Sequence, residues 1–267
     1  MNTPQLSDRP ATSEGPYRAP NCLTRGSSSG SLFHPEGFSL WRVVGELHGG
    51  AELEWSTEHG DEAVFVQSGI LDCDGRQLTD GSTLIVEAGA SIVVRSVGVT
   101  QVVHFGTVAA ASPTGGLLGG PAGQGRGIHV VRPQEAPSVH FGGGDNATSV
   151  YFADGTCRSC RIALFLYDGS IFAEGYAGAS HFHSEDEIMH VLDGELHVGP
   201  LTVARGACIA VPQNVRYCFR TSGPFRYLGY RADVSTAVVQ PGTDPVLETV
   251  ANLTSMATTN PVRTNSR

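Results

Sequence analysis

Two histidines and a glutamate stand close together in the second half of the chain, in the order His181, His183 and Glu187. Alternate side chains of a β-strand share one face, so both imidazoles are expected to point the same way from one strand. The interval before Glu187 is long enough for a tight turn and the start of a returning strand. The three side chains then converge, and two imidazoles with one carboxylate suit Fe(II) and also accept Mn, Co, Ni or Zn. A pair of surface histidines beside the polar turn 184–186 is the alternative interpretation.

A glycine stands at each end of this segment, Gly175 before it and Gly194 after it, and an apolar run at 188–192 follows the glutamate. This pattern, G-x5-HxH-x3-E-x6-G, resembles the first signature motif of the cupins, which are small antiparallel β-barrels of jelly-roll type. The segment 206–221 is similar to the second cupin motif, G-x5-P-x-G-x2-H-x3-N. It departs at three positions, where Asn214, Tyr217 and Thr221 stand for the glycine, the histidine and the asparagine.

Tyr217 is the most consequential departure, because the cupin resemblance implies a histidine there as the last metal ligand. The strand is expected to aim Tyr217 at the metal. As a tyrosinate it would be a ligand, whereas as a neutral phenol it would be a hydrogen-bond donor or proton shuttle. A phenol has a pKa of about 10, so we favour the second role and predict Tyr217 as a catalytic residue. The change to Asn214 is mild, because Asn tolerates positive φ.

The pattern recurs upstream at a constant offset of 125 residues, which indicates duplication of a structural unit. The matched positions that keep their residue are Gly50, Glu62, Gly69 and Gly81, equivalent to Gly175, Glu187, Gly194 and Gly206. Ser56 and Glu58 replace the two histidines, Glu87 replaces Pro212, and Ile92 occupies the Tyr217 position. We therefore predict that the first barrel folds without metal and that only the second binds one divalent ion.

Short strand signals separated by turn residues suit a sandwich or barrel architecture. The cupin resemblance implies an all-β fold of two tandem jelly-roll barrels. The predicted organisation is a disordered N-terminal segment (1–30), a degenerate first barrel (31–109), a flexible linker (110–127) with a mobile lid as the alternative, the metal-binding second barrel (128–240) and a C-terminal tail (241–267). Strands are expected at 38–44, 63–66, 82–86, 92–95, 100–105, 162–166, 188–192, 201–204, 208–211 and 225–230.

Composition excludes several classes of function. The formal net charge is −9, which argues against nucleic acids and anionic membranes as partners. All 17 basic residues are arginine, which excludes Schiff-base chemistry from the chain's own side chains. Without a visible export signal or an apolar run of about 20 residues, we expect a cytoplasmic protein with reduced cysteines. For the lone C-x-x-C of Cys157 and Cys160, a redox pair, half a zinc site and a structural role stay open.

Three functions fit these observations. The leading interpretation is a mononuclear Fe(II) dioxygenase that binds O2 and an enediol, catechol-like or diketone substrate. A Zn, Ni or Mn centre would instead be a Lewis acid in an isomerase, cyclase or lyase. A binding or sensing bicupin without turnover is the third. The expected partners are a small, partly apolar substrate and, by the cupin resemblance, a second copy in a homodimer. Substrate contacts are predicted from Phe182, Met189, Phe219, Tyr227, Tyr230 and, at the rim, Arg231, for which a solvated arginine is the alternative.

Overall fold

A computed structural model gives the fold of the chain. The structure describes residues 4–7, 15–108, 127–141, 147–154, 160–239, 241–250 and 252. All of the predicted linker except Gly127 lies outside these residues, as do Cys157 and the end of the predicted tail. In the described part, no helix has the length and apolar character needed to cross a bilayer.

The elements are antiparallel β-strands, which confirms the predicted all-β class. In chain order they are β1 (Gln5–Ser7), β2 (Leu23–Arg25), β3 (Ser28–Phe33), β4 (Leu40–Leu47), β5 (Glu52–Trp55), β6 (Glu62–Ser68), β7 (Leu71–Cys73), β8 (Arg76–Leu78), β9 (Thr83–Val86), β10 (Ile92–Ser96), β11 (Thr100–Thr107), β12 (Ile128–Val131), β13 (Ser138–Phe141), β14 (Ala147–Asp154), β15 (Ala163–Asp168), β16 (Phe182–His183), β17 (Glu187–Asp193), β18 (Glu195–Val198), β19 (Leu201–Ala204), β20 (Cys208–Val211), β21 (Phe219–Arg220), β22 (Arg226–Arg231), β23 (Thr236–Val238) and β24 (Val246–Leu247).

The chain divides into two compact units. The first-barrel unit comprises residues 11–136 and 156–162, and the second-barrel unit comprises 1–10, 137–155 and 163–267. In the first, a six-stranded sheet (β12-β9-β6-β11-β4-β3) and a five-stranded sheet (β2-β5-β10-β7-β8) both contribute to one apolar core. In the second, a seven-stranded sheet (β1-β20-β17-β22-β15-β14-β13) is accompanied by two of three strands, β16-β23-β24 and β19-β18-β21. Its core is rich in aromatic rings.

Strand pairing in the two units repeats with the offset found in the sequence. Glu62 pairs with Val86 as Glu187 pairs with Val211, and the bulge at Gln67 of β6 against β11 recurs at Leu192 of β17 against β22. The matched turn glycines all have positive φ, the conformation that glycine adopts without strain: Gly50, Gly69 and Gly81 in the first unit and Gly175, Gly194 and Gly206 in the second.

The offset fails at the strand that carries the histidines. Ile92 pairs with Trp55, whereas its counterpart Tyr217 pairs with His181. By register, Trp55 and not Ser56 lies where His181 lies. The sequence match of Ser56 with His181 is therefore off by one residue, and a one-residue slip moves a side chain to the opposite face of a strand.

Residues 15–30 are ordered, which differs from the predicted N-terminal disorder. Tyr17 and Cys22 are buried in the first core, and β2 and the start of β3 lie in this stretch. The Ser- and Gly-rich composition of this segment predicted disorder and did not show that Tyr17 and Cys22 are buried.

The large sheet of each unit has at one edge a strand from outside its own repeat. In the first unit this strand is β12, which stands in the sequence just before the second repeat and pairs with β9. In the second unit it is β1, which stands before the first repeat and pairs with β20. Residues 128–136, expected in the second barrel, thus belong to the first-barrel unit.

Candidate functional site

The candidate site is built from two strands and the turns beside them. β16 ends at His183 and β17 begins at Glu187, so the turn 184–186 returns the chain as the sequence predicts. A backbone hydrogen bond joins the loop before Tyr217 to this segment: the amide nitrogen of Asn214 donates to the carbonyl oxygen of His183 at 2.7 Å. Asn214 has φ of +60°, which agrees with its expected place at a glycine position.

Four buried side chains meet at the start of β17: His183, Glu187, Tyr217 and Arg231. The Tyr217 hydroxyl donates to Glu187 Oε2 at 2.6 Å. Arg231, at the end of β22, donates from Nη2 to Glu187 Oε1 at 3.1 Å. The same Nη2 lies 3.2 Å from His183 Nε2, and that Nε2 lies 3.2 Å from the Tyr217 hydroxyl oxygen.

A fifth member, Glu248, comes from the C-terminal segment just after β24. Its Oε2 lies 2.9 Å from His183 Nδ1 and accepts from Arg231 Nη1 at 3.1 Å. Sequence reasoning missed this residue, because it lies in a predicted tail with no motif around it. Its contacts place it behind the histidine, where an outer carboxylate orients an imidazole ligand.

Hydrogen-bond partners constrain the proton positions on both histidines. His183 Nδ1 faces the Glu248 carboxylate, whereas its Nε2 faces Arg231 Nη2, which can only donate, and the Tyr217 hydroxyl, which donates to Glu187. These contacts favour the tautomer with the proton on Nδ1. His181 Nδ1 lies 2.7 Å from the carbonyl oxygen of Ala179, which can only accept, so this atom also carries a proton. The centroids of the two rings are 4.8 Å apart.

The electrostatics of the cluster follow from burial and from Arg231. Burial alone would raise the pKa of the Glu187 carboxyl, but the Arg231 guanidinium and the hydroxyl of Tyr217 bring it below the usual value. The pKa of Glu248 is likewise lowered by Arg231 and His183 against the effect of burial. Burial, with Glu187 beside it, raises the pKa of the Tyr217 phenol well above 10. Tyr217 is thus a neutral donor in this arrangement.

The residues fit a divalent cation in donor type. Two imidazoles and a buried carboxylate are the donors that such an ion takes, and Glu248 lies behind His183 as an outer carboxylate. Within the described ranges, however, no three His, Cys, Asp or Glu side chains stand together at ligand spacing. Arg231 Nη2 contacts both His183 Nε2 and Glu187.

The predicted substrate residues have different surroundings. Met189, Phe219 and Tyr227 lie with Tyr217 in the aromatic core of the unit. Phe182 is partly buried and packs against the Arg216 guanidinium, 5.1 Å from its ring centre. Tyr230 is buried but alternates with its neighbours on β22, so it faces away from the side that carries Arg231. Arg231 is neither at the rim nor solvated, since it is only 4 % exposed and pairs with two carboxylates.

No protein-family model matches the chain, and no curated protein matches it. Solved structures do. Pumpkin seed globulin aligns with a TM-score of 0.61 at 11% identity, over 86% of this chain and 87% of that one. A putative glyoxylate-induced protein from Pseudomonas aeruginosa aligns with a TM-score of 0.60 at 16% identity, over 85% and 86%. Oxalate decarboxylase from Bacillus subtilis, described with Mn(II) centres, aligns with a TM-score of 0.56 at 13% identity, over 85% and 79%.

These likenesses concern the fold, since identities are low, and the proteins differ in kind: one is a seed globulin and another a decarboxylase. They extend over both units and agree with the repeated strand register. The predicted cupin resemblance is confirmed at the level of the fold: the chain has a bicupin fold of two tandem jelly-roll barrels.

Proposed function

We propose that the protein is a metal-dependent enzyme acting on a small molecule in its second barrel. His181, His183 and Glu187 would hold one divalent cation. The observation that carries this proposal is that the Nδ1 atoms of both imidazoles face oxygen acceptors, which leaves their Nε2 atoms for a metal, with the buried Glu187 carboxylate close to His183. A decarboxylase with Mn(II) centres among the similar folds is consistent with it.

When bound, the metal would supply Lewis acidity and positions for substrate oxygen atoms. The chain's own residues would do the rest. Glu248 keeps the His183 proton on Nδ1, so the Nε2 lone pair stays available. Tyr217 holds a proton on its hydroxyl at 2.6 Å from Glu187 Oε2, and it is the group placed to give that proton to a substrate or to take one back.

Fe(II) with O2 is the first candidate chemistry, because two histidines and one carboxylate leave several positions open. Lewis-acid lyase or isomerase chemistry is the second, and the neutral, proton-bearing Tyr217 favours it. Metal analysis of anaerobically purified protein, joined to oxygen-uptake measurement on a panel of diketone, catechol and enediol compounds, separates them. Turnover under strict anaerobiosis with Zn or Mn bound would exclude the dioxygenase.

Tyr217→Phe tests the role of the hydroxyl. We expect this variant to keep its metal and to lose most turnover, by about 100-fold or more, because a general acid or base contributes roughly 10²- to 10⁴-fold. Loss of most bound metal instead would identify Tyr217 as a ligand. The matched control is Tyr151→Phe, a buried tyrosine of the same core whose hydroxyl has no assigned part in the site.

A further inference from the structure

One face of the five-stranded sheet in the first-barrel unit carries a row of alternating charges. The register of β2, β5, β10 and β7 pairs four residues side by side across this sheet, in the order Arg25, Glu52, Arg95 and Asp72. Directly paired residues of an antiparallel sheet point to the same face. Leu53, the next residue along β5, is buried in the core, so the row lies on the outer face. We call these four residues the charge ladder, and its charges alternate in sign from β2 to β7.

The charge ladder is exposed and lies beside exposed apolar side chains. The side chains of Arg25 and Arg95 are each more than half exposed. One row further along the strands, Leu23 on β2 is 55 % exposed and Val93 on β10 is 44 % exposed. Residues of β10 and of the β7–β8 hairpin line a shallow depression of about 620 Å³, among them Asp72, Val93 and Val97. This face therefore combines charge, apolar surface and a concave shape.

A row with two charges of each sign in alternation is complementary to itself after a half-turn. A second copy can lie face to face with the first, about a two-fold axis that runs parallel to the strands between β5 and β10. This operation places β2 of one copy over β7 of the other and β5 over β10, with the strands aligned as packed sheets require. Arg25 then faces Asp72 of the second copy, and Glu52 faces Arg95. A two-fold axis along the row would instead oppose like charges.

The same half-turn brings apolar surface together. Leu23 and Val93 stand at one level of the sheet, because both pair with Glu54. With β2 over β7 of the second copy, Leu23 comes over the depression, beside Val93. One operation thus matches the charges and the apolar side chains, which a row of solvated ion pairs within one chain would not require.

We propose that this outer sheet face of the first barrel binds a second copy of the chain in a two-fold symmetric dimer. The occupant is a second copy because the face is complementary to itself. A face of five short strands is at or below the usual size of a stable interface, so the dimer dissociates on dilution and weakens with salt. The proposal is independent of the metal-dependent function proposed for the second barrel. It gives the first barrel a part in assembly.

The test is a pair of charge reversals, each of which should fail alone and succeed with the other. In the dimer, Arg95→Glu opposes negative charges at two places, and Glu52→Arg opposes positive charges at the same two places. Each variant should therefore dimerise at least about tenfold more weakly than the wild type. An equimolar mixture should recover the wild-type affinity, because each reversed charge then meets its opposite. Sedimentation velocity of the full chain at low salt, over a series of concentrations, measures all four samples.

Recovery on mixing has to arise between chains. Within each variant, Glu52 and Arg95, which form an ion pair in the wild type, still carry like charges after mixing. Arg132→Glu is the matched control: it reverses an exposed arginine that pairs with Glu135 outside this sheet, and it should dimerise as the wild type does. Circular dichroism establishes that each variant is folded. Arg25→Glu with Asp72→Arg is a second pair of the same design, for use if a central variant does not fold.

Three results would overturn the proposal. The first is a wild type that stays monomeric over the whole concentration series. The second is a dimer that is unaffected by either charge reversal, which would place the contact on another surface. The third is a mixture of two folded variants that remains monomeric. None of these results bears on metal binding by the second barrel.

Discussion

The two barrels place a glutamate at the same point of the same strand and surround it differently. In the first, Glu62 accepts from Trp55 Nε1 at 2.7 Å and from Asn21 at 3.0 Å, and it lies 2.8 Å from His104 Nε2. In the second, Glu187 accepts from Tyr217 and Arg231. Both carboxylates are fully buried and both have a lowered pKa.

The neighbouring strand pair explains much of the contrast. Trp41 of β4 stands opposite Gly106 of β11, and in the second barrel Ala163 of β15 stands opposite Arg231 of β22. A side chain at Gly106 would overlap the Trp41 indole. The Trp41 indole of the first barrel thus occupies the place that the Arg231 guanidinium occupies in the second. One scaffold therefore supports a sealed interior or a polar one, depending on which of two facing positions carries the large residue.

The largest expected difference between the barrels is in metal affinity. Replacing His181 and His183 by alanine should abolish Mn²⁺ binding, with a loss greater than the roughly 100-fold that outer partners contribute. Replacing Ser56 and Glu58, their sequence counterparts, should leave one bound ion. Elemental analysis of both double variants decides. Two ions per wild-type chain, or full metal in the histidine variant, would erase the contrast.

Stability should show the next largest difference. Glu62→Gln should destabilise the first barrel by about 3 kcal/mol, because it disrupts the acceptors of several buried donors at once. Glu187→Gln should cost the metal-free second barrel less, about 1–2 kcal/mol, since Arg231 keeps Glu248. Both tryptophans of the chain lie in the first barrel, so their fluorescence reports its unfolding in urea, and near-UV circular dichroism of the tyrosine-rich core reports that of the second barrel. The same loss for both variants would contradict the interpretation.

Adding a methyl group at position 106, against the Trp41 indole, should have a moderate effect on the stability of the first barrel. Gly106→Ala is expected to destabilise the first barrel by about 1–3 kcal/mol, the usual range for overpacking. Combining it with Trp41→Phe should recover part of that loss, because the smaller ring leaves room for the methyl group. Urea titration of the single and double variants measures the coupling. Strictly additive losses would mean that the ring is not the obstacle.

The smallest expected effect is on the pH dependence of the metal-free second barrel. Glu187 and Glu248 have lowered pKa values in the folded state. Their contribution is complete above the unfolded value of about 4.3 and is lost as the pH falls below it. Glu248→Gln should therefore flatten the fall in stability below about pH 4.3. Thermal unfolding followed by near-UV circular dichroism checks this, and an unchanged slope would exclude Glu248 as a source.

The sequence predicts the parts of this molecule that depend on local spacing. Turn glycines, alternating apolar positions and the HxH-x3-E motif report backbone conformation and strand faces, so the duplicated barrel fold could be inferred. The return of the chain between His183 and Glu187 follows from the same local rules.

What could not be predicted depends on distant packing. Glu248 reaches His183 from a segment without a motif, and Arg231 is buried opposite the small Ala163 of the neighbouring strand. Neither fact is visible along the chain. The sequence also did not show that Trp55, and not Ser56, is equivalent to His181. The flanking glycines keep their spacing in both repeats, so only the strand pairing reveals this shift of one residue.

The edge strands β1 and β12, each of which pairs with a strand of a repeat other than the one it precedes, have a consequence for how the chain folds during synthesis. β1 precedes the first repeat, but its pairing partner near Ala210 lies in the second, so the first strand must wait through the translation of both repeats. The first barrel likewise lacks the neighbour of β9 until β12 has left the ribosome. Neither repeat completes its large sheet from its own residues. A chain that stops within the second repeat before β20 would therefore leave β1 as an unpaired strand.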